Sequence, residues 1–199
     1  RQQGDDGLLV VIEKCDVGIE RDVAEMLGRV RNAHGSVDAV VHAAGVLDDK
    51  ALVAQDGDTM RRVFGPKADG ARWLHKHTAG DDLGAFVTFS SVAALFGNPG
   101  QANYAAANAY LDGLVRWRRS RGLAGTSIQW CGVSGVGMAA AMDARVAIDA
   151  RQTVDARMAK EVLLQVRSCG SACEPVQSVV PRTSLEAGRL PEALAALVG

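Results

Sequence analysis

The chain has 199 residues, 48% of them hydrophobic, enough to bury a sizeable core in one domain or one domain with a short appendage. Its 22 lysines and arginines stand against 23 aspartates and glutamates, which excludes the global basic field that binds nucleic acid or an anionic membrane surface. No run approaches the ~18 consecutive apolar residues of a membrane span.

The amino end, "RQQGDDGLL", is too polar for a signal peptide, so a cytoplasmic address is expected. The chain opens on Arg1 instead of a methionine, and the expectation is a piece of something longer. Short runs rich in Val, Ile, Phe and Thr predict strands at Leu8 to Asp16, Val37 to Gly45, Gly84 to Val92, Thr126 to Gly132 and Pro175 to Thr183. Such runs suit parallel strands covered on both faces, where burial removes the need for polar alternation. Between them lie helical patterns: "ERDVAEMLGRVRNAHG", the region around "DTMRRVFGPKADGARWLHKHT", and "NYAAANAYLDGLVRWRRSRG", which stops on Gly122. Strands alternating with helices predict an α/β fold, a Rossmann-like doubly wound parallel sheet flanked by helices.

Ligands of such sheets bind beyond the carboxyl ends of the strands. Those ends carry Asp16, the "HAAG" of His42, Ala43, Ala44 and Gly45, the pair Ser90 and Ser91, and "CGVSGVGM" from Cys131. "GVSGVG" reverses the glycine spacing of a dinucleotide fingerprint and reads as a loop. Cys15, Cys131, Cys169 and Cys173 are scattered, and "CGSAC" has three residues between its cysteines where redox and zinc pairs usually have two, which favours buried or idle thiols over a metal or disulfide. "HKH" at His75 to His77 has the wrong spacing for two ligands on one helix face, so no metal site is expected and a solvated helix end is. Arg116, Arg118, Arg119 and Arg121 are read as an exposed helix end with favourable charge for the dipole, or a docking patch for an acidic carrier protein.

The chemistry concentrates in "FSSVAALFGNPGQANYAAANAYLDG". A phenol ionises near ~10, so Tyr104 is a proton donor at neutral pH, useful where its phenolate is stabilised by a cation such as Lys67. Ser91 can donate to the same carbonyl oxygen, forming a small oxyanion site suited to hydride addition to a ketone. Four residues separate Tyr104 from Asn108, which puts both on one helix face. Singly, each residue has a plain structural reading: a turn cap for the serines, packing for the tyrosine, solvated surface for the lysine. Together, in this order on a doubly wound sheet, they point to an active site.

These residues, with "HAAGVLDD", "PKADGARWLH", "RRSRGLAGTSIQW" and "VGMAA", make the chain resemble the ketoreductase domain of modular polyketide synthases and animal-type fatty acid synthases. That family is a branch of the short-chain dehydrogenase/reductases, and the resemblance covers roughly residues 8 to 140. It divides the chain into a catalytic region, 1–140, and a lid or helix region with the last strand, 141–199. Ordinary members carry the lysine four residues after the tyrosine; the synthase ketoreductases are similar to this chain in placing asparagine there and lysine on the preceding helix. The resemblance implies Tyr104 as proton donor, Ser91 as oxyanion partner, Asn108 as support, and Lys67 as the cation that lowers the tyrosine pKa and contacts the cofactor ribose. It implies NADPH as cofactor, with Asp16 and Val17 bordering the adenine and His42 to Gly45 lying along it.

The implied reaction reduces a 3-ketoacyl thioester, carried on the phosphopantetheine arm of an acyl carrier protein beside neighbouring synthase domains, to the 3-hydroxyacyl thioester. Leu47, Asp48 and Asp49 match the marker of the D-hydroxy subgroup, and Phe96 stands where the opposite subgroup has tryptophan. A noncatalytic structural module of a synthase and a free-standing reductase of small ketones are the competing readings. The family's first βαβ unit, with its phosphate loop, has no counterpart after Arg1, so these 199 residues alone are not expected to bind NADPH tightly.

Overall fold

The computed structural model describes residues 2–3, 9–133, 153–169 and 173–179. Four strands, β3 (Ala39–His42), β4 (Ala85–Ser91), β5 (Thr126–Trp130) and β8 (Val176–Val179), form one all-parallel sheet in the order β3-β4-β5-β8. Helices α1 (Glu20–His34), α3 (Gly70–His77) and α5 (Ala102–Ser120) cover one face, and α6 (Ala156–Cys169) covers the other. This is the expected Rossmann-like sheet flanked by helices. The order of the described strands runs in one direction, so the reversal that marks a switch point is not among them.

The cores follow from strand alternation. Val40 and Phe86 point to one face, where Val23 and Leu27 of α1 and Leu74 of α3 meet them. Val87, Ile128 and Trp130 point to the other, against Val166 of α6. Helix α1 has Glu20 and Asp22 in its first turn and Arg31 and His34 in its last, the polarity the helix dipole favours. It closes on Gly35 at φ 89°, where a side chain would be strained.

The run from Leu8 to Asp16 departs from its reading. Among its described residues only Leu9–Val10 (β2) is strand, paired antiparallel with Gln2–Gln3 (β1), and not in the parallel sheet. Buried strands need cover on both faces; here Leu9, Val10, Val11 and Ile12 are all exposed. Two short strands, β6 (Gly132–Val133) and β7 (Thr153–Val154), pair in parallel just past β5. The remainder of "GVSGVGM", the "VGMAA" motif and residues 180–183 of the last predicted strand lie outside the described residues.

Between α2 (Gly57–Phe64) and α3 the chain makes one π-helical turn, Gly65–Asp69. Pro66 has no N–H to give to the α-helical ladder, and the Gly70 N–H reaches back five residues to the Gly65 carbonyl. The turn keeps 57–77 continuous while placing Lys67 on its inner side.

Three surface readings are also corrected. Arg118 is 2% exposed: its Nε donates to the Ala124 carbonyl, its Nη1 to His75 Nδ1, and its guanidinium stacks 4.0 Å from the Phe86 ring centroid. His75 is therefore half-buried as the acceptor of a buried arginine, and His77 contacts Glu20. Cys173, read as an idle thiol, is disulfide-bonded, whereas Cys15 and Cys131 are free.

Candidate active site

Tyr104 lies in the first turn of α5, and its neighbours on that face are polar and buried. Tyr104, Asn108 and Asp112, at i, i+4 and i+8, are all buried, an inner polar seam on an otherwise alanine- and leucine-rich surface. Asn108 Nδ2 donates to the Tyr104 carbonyl at 2.8 Å, and Ser90 Oγ donates to the Asn108 carbonyl at 3.3 Å. Asp112 accepts from Ser127 Oγ at 2.6 Å and from Gln129 Nε2 at 2.7 Å, which anchors the seam to β5.

Ser91 ends β4. Its Oγ accepts from the Ala93 N–H at 3.1 Å, so the turn-cap reading holds for that oxygen, and the same side chain opposes the upward shift of the Tyr104 phenol. Lys67 is 2% exposed; its Nζ donates to the Phe89 carbonyl at 2.9 Å and lies 5.2 Å from the Tyr104 ring centroid. The structure thus brings Lys67, Ser91, Tyr104 and Asn108 together.

Burial dominates the electrostatics of the phenol. Burial raises the Tyr104 pKa above its ordinary 10, and the hydrogen bonds from Asn108 and Ser91 only partly offset it. The Lys67 ammonium lies over the ring face and bonds a main-chain carbonyl. Burial brings Lys67 itself down to about 8, with the Asp112 carboxylate pulling in the opposite direction. At neutral pH the phenol therefore holds its proton and the lysine remains mostly charged.

His42, at the end of β3, places Nε2 2.8 Å from the Lys67 carbonyl, so this nitrogen carries the proton. Burial lowers the His42 pKa to about 4, which keeps the ring neutral. A Cβ on Gly70 would come within 2.9 Å of Val17 Cγ2 and 3.1 Å of His42 Cε1, so a glycine there lets the lysine helix approach. Ala43 is exposed; Ala44 and Gly45 are half-buried. Asp16 is exposed and accepts from the Gly18 N–H at 3.0 Å; with Val17, Lys14, Cys15 and Asp22 it lines a cavity of about 480 Å³.

Leu47 packs against Val63, Ala93, Tyr104 and Ala107. Asp48 pairs with Arg62, Nε to Oδ2 at 2.6 Å, and Asp49 accepts from Gln101 Nε2 at 2.9 Å. Phe96 is half-buried at the end of α4 (Ala93–Phe96). Sequence reasoning missed Gln101, Asn103, Asp112 and Gly70. Asp112 was within reach, since the spacing that joined Tyr104 to Asn108 extends four residues further. The others depend on contacts between distant segments.

The family model described as KR domain matches residues 2–135, well over half of the chain. The chain belongs to the KR domain family. Polyketide synthase GfsB of Streptomyces halstedii is 48% identical over 124 residues, 62% of this chain and 2% of that protein. The spectinabilin polyketide synthase system protein NorB of Streptomyces orinoci is 49% identical over 130 residues, 65% of this chain and 6% of that protein. A solved structure of an A1-type ketoreductase superposes with a TM-score of 0.80 at 31% identity, covering 96% of this chain and 43% of that one. The chain therefore spans a small part of the curated synthases it matches, and it is a polyketide synthase ketoreductase domain of the short-chain dehydrogenase/reductase superfamily.

Two groups in the KR site fit a nicotinamide cofactor. Asn108 Oδ1 is buried with no partner among the described residues, an acceptor left beside Tyr104, and the Gly70 cradle keeps His42 and Val17 close to the lysine turn. Among the described residues no cluster of His, Cys, Asp and Glu could hold a metal, and no helix is long and apolar enough to cross a membrane.

Proposed function

We propose that this KR domain reduces the ketone of a 3-ketoacyl thioester, carried on the phosphopantetheine arm of an acyl carrier protein, to a D-configured 3-hydroxyacyl thioester with NADPH. The observation that carries this reading is the convergence of Ser91, Tyr104, Asn108 and Lys67 around one phenol. Asp16 and Val17 would border the adenine, His42 to Gly45 would lie along the cofactor, and Lys67 and Tyr104 would hold the ribose. When bound, NADPH supplies the hydride that the ketone carbon receives.

The protein's own part is the oxygen. Ser91 and Tyr104 hydroxyls donate to the carbonyl oxygen, meeting the negative charge that develops there with donors already in place. Tyr104 then gives up its proton to complete the alcohol, and the Lys67 ammonium over its ring face stabilises the phenolate left behind. With its pKa raised, the phenol arrives protonated, as a proton donor must.

Facial selectivity is assigned to the Leu47–Asp49 loop, which touches the Tyr104 cluster through Leu47, with Phe96 in the place of a tryptophan. The A1-type ketoreductase superposes at 31% identity, and the D assignment rests on the side chains of this loop. In the full polypeptide that carries these residues, Tyr104→Phe is expected to lose ~10²- to 10⁴-fold in ketone reduction while still binding NADPH. Turnover within a few fold of the native enzyme would refute the assignment. Chiral chromatography of the product from a simple 3-ketoacyl thioester tests the configuration, and a predominantly L-hydroxy product would refute that part.

A noncatalytic module is the second reading. The orphaned Asn108 Oδ1 speaks against it, since a purely structural site gains nothing from an unpaired buried acceptor.

A further inference from the structure

The first N–H groups of a helix have no partner within it, and α5 begins at Ala102 with no side-chain cap from Gln101. Asn103, 0% exposed, fills that gap in an unusual way. Its Oδ1 accepts from the Tyr104 N–H at 2.7 Å, while its Nδ2 donates to the Asp48 carbonyl at 2.9 Å. One amide therefore holds the main chain of the tyrosine on one side and the main chain of the Leu47–Asp49 loop on the other.

We propose that Asn103 is a positioning residue for ketone reduction, a strap that fixes the Leu47–Asp49 loop to the backbone of Tyr104 so that the approach of the thioester and the place of the proton donor are set together. The inference rests on the functional reading above. It is supported by a second layer of contacts across the same gap. Gln101 Nε2 donates to Asp49 at 2.9 Å and is held in turn by Asn98 Nδ2 at 2.8 Å, and the Lys50 N–H donates to the Gly100 carbonyl at 2.9 Å. Gln101 holds only the side chain of Asp49; Asn103 holds two stretches of main chain, which cannot adjust without moving the loop or the helix.

A strap of this kind predicts a particular failure. Releasing the loop leaves the cofactor groups Asp16, His42 and Lys67 in place, none of which Asn103 touches. It lets the ketone meet Tyr104 in more than one orientation, and misplacement of about 1 Å can cost ~10²-fold in rate.

The test uses Asn103→Asp and Asn103→Ala in the full polypeptide that carries these residues, with Tyr104→Phe alongside. Asn103→Asp is isosteric and still accepts from the Tyr104 N–H, but it turns a carboxylate oxygen toward the Asp48 carbonyl. Asn103→Ala removes both bonds. The expected result is NADPH affinity within about twofold of native by fluorescence titration, kcat on a simple 3-ketoacyl thioester reduced about 10- to 100-fold, and a minor 3-hydroxy enantiomer rising to a measurable share of product. Native kcat with native enantiomeric purity in Asn103→Asp would overturn the proposal. So would a loss of kcat matched by an equal loss of NADPH binding, because that is the signature of general unfolding. If Asn103→Ala melts too low to assay, Asn103→Asp alone decides. The Tyr104→Phe arm separates the two levels: turnover retained there refutes the functional reading itself, whereas a dead Tyr104→Phe beside unaffected Asn103 variants refutes only the strap.

Discussion

Among the described residues two cations are buried, one toward each end of the sheet. Arg118, toward the amino ends of the strands, and Lys67, toward the carboxyl ends, are both 2% exposed. Arg118 has a carbonyl, an imidazole nitrogen and an aromatic face as partners. Lys67 donates to a single carbonyl and forms no ion pair among the described residues. Burial lowers both, Arg118 to about 10 and Lys67 to about 8, so the lysine alone comes close to neutral pH. Burial thus leaves one cation well partnered and the other sparsely partnered, with its pKa nearer to neutral.

The sharpest break of this comparison is Lys67→Met. Ketone reduction should fall by ~10²-fold or more, as for loss of other groups that stabilise developing charge. The melting temperature should hold or rise, because a buried charge with few partners is replaced by an apolar chain of similar length. The sign of the native pH dependence follows from the lowered lysine. Between its folded value of about 8 and the ordinary 10.5 the unfolded chain binds the extra proton, so stability rises with pH across that window. Lys67→Met should flatten that rise in pH-dependent denaturant titrations. A variant that melts far lower would mean that Lys67 is a structural cation after all.

Arg118→Ala should behave in the opposite way. It leaves the Ala124 carbonyl and His75 Nδ1 unpaired and removes the stack on Phe86, at about 1–3 kcal/mol for each buried acceptor that water cannot reach. Thermal unfolding should register the loss while kcat at a permissive temperature remains near native. A kcat loss without a stability loss would dissolve the contrast.

Asp112→Asn gives the smallest effect and the finest test. The Asp112 carboxylate raises the Lys67 pKa, so neutralising it should lower that value further and move the alkaline limb of kcat/KM toward lower pH. Tyr104, raised above 10, titrates beyond that range and should not contribute to the limb. An alkaline limb that does not move would disconnect Asp112 from the lysine.

Much of this site was legible in the sequence because its signals are local. Tyr104 and Asn108 share a face by helical spacing, and Ser91 ends a strand whose apolar run marks it as buried. The chain reports less well what depends on tertiary cover. Arg118 looks like one of four exposed cations until α3 supplies His75 and the loop before β5 supplies the Ala124 carbonyl. The run from Leu8 to Asp16 has the composition of a covered strand, but Leu9, Val10, Val11 and Ile12 are exposed. The tyrosine pKa moves up because burial, a property of the assembled fold, outweighs the hydrogen bonds that oppose it.

The π turn at Gly65–Asp69 has a consequence for how this segment can change over time. It carries one residue more than an α-helical turn would, and each residue of an α-helix advances the chain by about 100°. Removing any single residue between 65 and 69 would let the ladder close as an ordinary helix, but everything on one side of the gap would rotate by that angle. Either Lys67 would swing away from Phe89 and Tyr104, or Leu74 would leave the core it shares with Phe86. Length is thus the more tightly held property here, and a lineage can exchange several of these side chains more readily than it can lose one position.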